Sequence, residues 1–430
     1  MATDAPLPHI VVLGAGFGGL TFCQKLPDGI ARITVIDRQN HHLFQPLLYQ
    51  VASAGLSAID IAQPIRAILA KKPNLTVLMA EVAGVDFAQR RVVHESGELA
   101  YDYLVLALGG TMSYFGHPEW EPHAPGLKSL DDALRIRRKI LCAFERAETE
   151  TDPVKQQELM NIVVVGGGPT GVELAGAFAE LARTVLRRDF DHIDPARAHI
   201  LLIEGGPRVL ATFPPELSAS AQRQLEHLGV EVRTGLKVEE IRDGEIVAGG
   251  KTIRAASIIW GAGVGGNPLA KKLGVELDRA GRIKVQPDLS LPGHPEVFAI
   301  GDMVVLVDKN GVPVPGVSPA AMQMGAHVAK IIEAEQQKGR VDKAPRAAFG
   351  YWDKGTMATI GRSAAVAHIG RLKFSGWPAW AAWLFVHLIF LVSFRSKLSV
   401  LIQWTYSYFT YKRGARVITG VSGSPPAGSA

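Results

Sequence analysis

Cysteine is nearly absent from this chain, with Cys23 and Cys142 the only two among 430 residues. They stand in unrelated segments, so they make no C-x-x-C pair, no zinc or iron–sulfur spacing and no disulfide framework. Each reads as a packed helix residue, and no metal site is expected. Electron passage through a paired disulfide is excluded. Long apolar runs are equally scarce. The longest uncharged stretch, Phe374 to Phe394, approaches the ~20 residues of a membrane span only by including Ser-Gly-Trp-Pro. The amino end enters a β-branched run almost at once, with no basic or cleavable apolar segment before it. A secretory signal is therefore not expected, and the chain starts in the cytosol. The basic cluster "RIRRK" (135–139) lacks interleaved aromatics, which makes it a solvated helix face and not a nucleic-acid site.

What is present is a globular composition, 47% hydrophobic and 20% charged, long enough for two or three domains. Glycine punctuates it in a specific way. "HIVVLGAGFGG" (9–19) and "NIVVVGGGPTGVELAG" (161–176) each place an unbroken apolar run before G-x-G-x-x-G. Runs of that kind are strands buried on both faces, as in a parallel sheet. Gly14, Gly16 and Gly19, and again Gly166, Gly168 and Gly171, supply a tight turn, a bare backbone for a pyrophosphate and close helix–strand packing. One match arises easily in a glycine-rich chain; here each is followed by a second strand ending in an acid. "RITVID" ends at Asp37, 18 residues after Gly19, and "HILLIE" ends at Glu204, 33 residues after Gly171. The longer gap is filled by "RRDFDHIDPARA" (187–198), read as a helix end and loop. Two dinucleotides are expected, which suggests electron transfer between a flavin and a nicotinamide. A carboxylate at position 204 accepts ribose hydroxyls and repels a 2′-phosphate, so NADH is favoured over NADPH, with Arg208 able to soften the preference.

Further stretches carry a resemblance. "NHHLFQPLLYQVASAGL" (40–56), "YDYLVLALGGT" (101–111), "VFAIGD" (297–302), "PGVSPAAMQMGAHVA" (315–329) and "YWDKGTMATIGRSAAVAHIGRLKFSG" (351–376) follow one another as in the type II NADH dehydrogenases. These are non-proton-pumping NADH:quinone oxidoreductases of the pyridine nucleotide-disulfide oxidoreductase superfamily, and the likeness covers nearly the whole chain. It implies an α/β fold of two Rossmann-like dinucleotide-binding domains, a split FAD domain with an inserted NAD domain, plus C-terminal amphipathic membrane-associating helices. The expected boundaries are 1–120 and 285–345 for the FAD domain, 121–160 for a connector and helix, 161–284 for the NADH domain and 346–430 for the anchoring region. For non-covalent FAD the resemblance implies Gly14, Ala15, Gly16, Phe17, Gly18 and Gly19 at the pyrophosphate and Asp37 on the ribose. It adds Arg38, His42, Gln50, Val82, Gly109, Gly301, Asp302 and Ala321. For NADH it implies Gly166, Gly168, Pro169, Thr170, Gly171, Glu204 and Gly263. His42 is open to two readings, a base or a hydrogen-bonded structural imidazole.

The tail concentrates aromatics. Trp377, Trp380, Trp383 and Trp404 are four of the seven tryptophans, and Tyr406, Tyr408 and Tyr411 follow. Leu398, Leu401, Ile402 and Thr405 recur at helical spacing, with Lys397, Lys412 and Arg413 flanking them. A spanning helix, a buried helix pair and a pair of interfacial helices compete here, and the spacing favours the last. With no disulfide or metal to serve, a surface-bound flavoenzyme most plausibly reduces a membrane quinone, ubiquinone or menaquinone, from the cytoplasmic face of the inner membrane. A homodimer is compatible with this, and proton pumping is not expected.

Family members carry A-Q-x-A-x-Q after the second FAD segment, whereas this chain has Ser318 and Pro319 first, keeping Ala321 and Gln323. That leaves Gln323 as the polar group expected at the quinone. Glu173, in the first turn of the second glycine-loop helix, is open to two readings: a carboxylate favoured by the helix dipole, or, as the G-V-E resemblance implies, a group that faces the flavin cavity and helps bind quinone or handle its protons, with Lys373 a candidate ionic partner. Two other readings stay open: a sulfide:quinone oxidoreductase-like flavoenzyme, for which the cysteines are lacking, and a flavin-bound redox sensor or assembly protein.

Overall fold

The computed structural model describes residues 7–338, 345–410 and 414–419. The chain divides into two compact units. The first gathers Met1–Leu43, Gln63–Thr111 and Val264–Lys354. Its centre is a six-stranded sheet in the order Ser290–Leu291, His294–Ala299, Tyr103–Leu106, His9–Leu13, Arg32–Asp37, Leu75–Met79. All neighbours are parallel except the short Ser290–Leu291 edge strand. Strand His9–Leu13 is buried along its whole length, as its lack of polar alternation requires. Helix Phe17–Lys25 lies against helix Ser318–Lys338. Gly18 and Gly325 make that approach possible, since a Cβ on Gly325 would sit 2.3 Å from the Gly18 carbonyl oxygen.

The second unit gathers Phe44–Ala62, Met112–Gly263 and Gly355–Ala430. It holds a parallel four-stranded sheet, ordered Val230–Arg233, Ile200–Ile203, Ile162–Val165, Ser257–Trp260. A capping box of Ser129 and Asp132 starts the helix Leu130–Thr149 that precedes it. After Gly355 come an antiparallel sheet of Thr356–Gly361, Ala364–Ile369 and Leu372–Ser375, then helices Trp377–Phe390 and Phe394–Thr410. Pro378 opens the first of these at a position where its missing N–H costs nothing.

Three boundaries fall elsewhere than the motif spacing suggests. The chain returns to the first unit at Val264, ahead of residue 285, and Thr111 donates a hydrogen bond to the Gly266 carbonyl there at 3.3 Å. Residues from Gly355 onward belong to the second unit, because strand Thr356–Gly361 packs on helix Pro169–Glu180. The Phe44–Ala62 segment joins that unit as well.

Candidate functional site

In the first unit the glycine loop is held by contacts that tolerate no side chain. Gly14 has φ +98°, and a Cβ there would meet the Ala107 carbonyl oxygen at 2.5 Å; one on Gly19 would meet the Gly14 carbonyl oxygen at 1.9 Å. Gly16 is different. Nothing lies within 4 Å of its would-be Cβ, and it caps helix Phe17–Lys25 without a side-chain hydrogen bond. The open space and uncapped N–H groups suit a pyrophosphate. Asp37 fixes the loop, accepting the Ala15 N–H at 2.7 Å and the Gln39 N–H at 2.8 Å.

His42 settles as a structural imidazole. Its Nδ1–H donates to the Ala15 carbonyl at 2.9 Å and its edge meets Phe17. Burial lowers its pKa and keeps it neutral. Its Nε2, buried with no partner in the protein, is an acceptor beside the loop, which fits a bound flavin dinucleotide with its polar ribityl chain. Gly301, at φ +78°, lies 3.4 Å from Ala321 by its would-be Cβ, and Asp302 follows it in a short 3-10 turn. Gly109 is likewise left-handed at φ +68°. Arg38 is exposed and Val82 half-buried.

The second loop repeats the design. A Cβ on Gly166 would stand 2.7 Å from the Ala262 nitrogen, and one on Gly171 1.8 Å from the Gly166 carbonyl oxygen, while Gly168 faces open space. Pro169 begins the helix and is exposed, with Thr170 half-buried beside it. Both Glu204 oxygens are anchored, one by the Gly167 N–H and one by the Gly206 N–H, each at 2.5 Å. The carboxylate is thereby presented at the loop. Arg208 donates to the carbonyls of Phe213 and Ala211. Gly263 has φ +77°, and its would-be Cβ comes within 2.7 Å of the Phe115 ring.

Glu173 requires a correction. The helix starts at Pro169, so Glu173 is its fifth residue and lies beyond the first turn, where the dipole acts. Its environment comes from tertiary packing. Burial pushes its carboxyl up to about 8 from the usual 4.5, opposed by a hydrogen bond from the Thr359 backbone. Lys373 does not pair with it. That ammonium bonds to Glu216 at the surface, because strand Leu372–Ser375 runs beside helix Pro215–His227. Gln323 is no free amide either. It donates to the Trp352 carbonyl at 3.0 Å and accepts the Trp352 N–H at 2.9 Å, a clasp within the first unit.

Glu173 instead lines a cavity of about 600 Å³ inside the second unit, with Tyr49, Gln50, Trp380, Trp383 and Trp404. Gln50, expected beside the flavin, forms part of this wall. It donates to the Tyr49 hydroxyl at 2.7 Å and accepts the Trp404 indole N–H at 2.8 Å. Arg362, invisible to motif reasoning, binds the carbonyls of Ser407 and Tyr408 and lies 4.6 Å over the Tyr408 ring. It closes the end of the last helix.

That helix is amphipathic with its polar side inward. Ser396 is buried, and Ser399, Gln403 and Ser407 are half-buried, whereas Phe394, Leu398, Ile402 and Tyr406 face outward, and Leu401 and Phe409 are exposed where they line the cavity. Phe385, Ile389 and Phe390 of the preceding helix are also exposed. Lys412, Arg413 and Tyr411 lie outside the described residues. Among the described residues no helix is long and apolar enough to cross a membrane. Cys23 is buried in its helix, its thiol pushed up to about 12, and Cys142 is half-buried in helix Leu130–Thr149.

Two glycine loops, each ahead of an uncapped helix and each answered by a strand-end carboxylate, define an oxidoreductase scaffold for two dinucleotides. Comparison with known proteins agrees and narrows it. The family model for pyridine nucleotide-disulphide oxidoreductases matches residues 8–325, and the NDH2 C-terminal domain matches residues 353–412. A type II NADH:quinone oxidoreductase of Mycobacterium tuberculosis is 43% identical over 424 residues, 96% of this chain and 90% of its own. One from Haemophilus influenzae is 27% identical, with 84% and 87% covered. The chain belongs to the type II NADH:quinone oxidoreductases. In fold it is similar to NDH2 of Plasmodium falciparum in complex with NADH (TM-score 0.87, 21% identity, 96% of this chain and 100% of that one). It is also similar to the sulfide:quinone oxidoreductase of Aquifex aeolicus (TM-score 0.70, 18% identity, 94% and 95% covered).

Proposed function

We propose that this chain oxidises NADH and delivers the two electrons, with two protons, to a lipid-soluble quinone, moving no protons across a membrane. The observation that carries this reading is the Glu173 cavity, a mainly apolar chamber lined by Glu173, whose carboxyl burial pushes up to about 8, and by Glu180, and walled by helices that expose apolar side chains.

Bound FAD supplies a centre that accepts two electrons as hydride and releases them singly or together. The protein's own residues do the rest. The loop at Gly14–Gly19, with Asp37, would hold the flavin dinucleotide, and the loop at Gly166–Gly171, with Glu204, would hold NADH. The aromatic walls formed by Tyr49, Trp383 and Trp404 exclude water and receive a flat, apolar ring. Glu173, protonated below about pH 8, can give a proton to a quinone oxygen and recover one afterwards.

The outward apolar residues of the two tail helices support seating on a lipid surface, without crossing it. A net charge of +5 favours an anionic leaflet, in keeping with the cytoplasmic face of an inner membrane. The direct test is anaerobic. NADH should bleach the flavin absorbance of the purified protein, and a short-chain quinone should restore it. Bleaching by sulfide in place of NADH would move the chain to sulfide oxidation, and inertness to both would make it a sensor.

A further inference from the structure

The last helix is tied to the Phe44–Ala62 segment by one carboxylate. Asp60 is 4% exposed. Its Oδ1 accepts the Ser399 hydroxyl at 2.7 Å; its Oδ2 accepts the Gln403 side-chain amide at 2.8 Å and the Ser57 N–H at 2.8 Å. Ser57 and Asp60 also form a capping box for the short helix Ala58–Ile61, which fixes the carboxylate before the last helix arrives. The residue after Gln403 is Trp404, whose indole N–H reaches Gln50 in the cavity wall.

The remaining inner surface of that helix is sparse, with Ser396 and Val400 its buried residues. Its outer side exposes apolar side chains, and apolar contact attracts without direction. Sliding by one turn, about 5.4 Å, would preserve much of that apolar contact. It would also strip Asp60 of Ser399 and Gln403, leaving Oδ1 without its Ser399 donor and Oδ2 with the Ser57 N–H in place of two donors, a costly loss for a buried carboxylate. Single polar groups in apolar helix seams fix register by this means.

We propose that Asp60 is a positioning residue, whose hydrogen bonds to Ser399 and Gln403 set the register of helix Phe394–Thr410 and thereby place Trp404 in the wall of the Glu173 cavity. Asp60 itself does not line the cavity. The proposal rests on the reading of that cavity as the quinone site. It accounts for a carboxylate buried where a leucine would pack more cheaply.

The test compares wild type with Asp60→Leu, Asp60→Asn and Gln403→Leu in the full-length flavoprotein. Three readouts are taken: quinone-reductase KM and kcat, NADH:ferricyanide activity, and amide hydrogen exchange over residues 394–410. Asp60→Leu and Gln403→Leu should raise the quinone KM by about tenfold or more, a misplacement effect. The ferricyanide rate should stay within about twofold, and exchange in the helix should accelerate. Asp60→Asn, which keeps an acceptor oxygen, should recover most of the affinity. An unchanged KM with unchanged exchange in both leucine variants overturns the proposal. So does parallel loss of ferricyanide and quinone activity in all three variants, which would mark a general folding role. If wild type reduces ferricyanide but no quinone, the functional reading fails, while the exchange measurement still decides the register.

Discussion

A Cβ on Gly176 would stand 1.7 Å from the carbonyl oxygen of Ile360, so helix Pro169–Glu180 and strand Thr356–Gly361 meet backbone to backbone. This contact carries Glu173 to Thr359. Gly176→Ala must push the strand away, at a cost of about 1–3 kcal/mol for an overpacked site. A lower melting temperature and a raised quinone KM are expected, with NADH binding retained.

Glu173 gives quinone reduction a pH signature. Its pKa of about 8 means the donor form is full at pH 6 and depleted at pH 9. The quinone-reductase rate should therefore fall through pH 8. Glu173→Gln should abolish that step and slow turnover by about a hundredfold, within the usual range for a general acid. A variant with unchanged rate and profile would remove Glu173 from proton transfer.

The same shift bears on stability. The folded pKa lies above the unfolded value of 4.5, so the folded state holds its proton longer and loses stability as pH rises from 4.5 through 8. Melting curves of Glu173→Gln should gain on wild type at pH 9 relative to pH 5.

The outward face of the last helix should govern membrane binding. Replacing Leu398 and Ile402, 47% and 58% exposed, with glutamate removes apolar surface and adds repulsion from anionic lipid. Flotation with anionic vesicles should show partitioning reduced by about tenfold or more. Ferricyanide activity should be intact.

Glu204 should set nucleotide choice. Its oxygens hold the Gly167 and Gly206 amides and present negative charge at the loop. Glu204→Ala should raise the NADH KM and shift the ratio of NADPH to NADH efficiency by about tenfold or more, the scale of one charged contact. An unchanged ratio would place the discrimination elsewhere.

Both loops were legible because close backbone approach demands glycine at fixed spacing, and the strand-end acids follow from parallel-sheet geometry. The partners of single side chains were not. Lys373 meets Glu216 through the packing of a strand on a helix distant in sequence, and Gln323 meets Trp352, 29 residues on; neither is encoded in local periodicity. The Phe44–Ala62 segment reads as an extension of the flavin motif, yet tertiary packing draws Tyr49 and Gln50 to the tail. Ser57 and Asp60 match a helix-start pattern, which conceals the second use of the carboxylate. Trp377, Trp380, Trp383 and Trp404 were visible as an aromatic cluster, but only the fold shows that all four line one chamber, Trp383 buried and Trp377 59% exposed.

The tie between Asp60 and Ser399 joins positions 339 residues apart. During synthesis the early segment leaves the ribosome long before its partner exists, and its acid must wait in water until residue 399 has been made. Assembly of the Glu173 chamber thus waits for helix Phe394–Thr410. Nascent chains released early would carry two finished nucleotide folds beside an open, sticky wall, the kind of surface that chaperones retain and proteases remove.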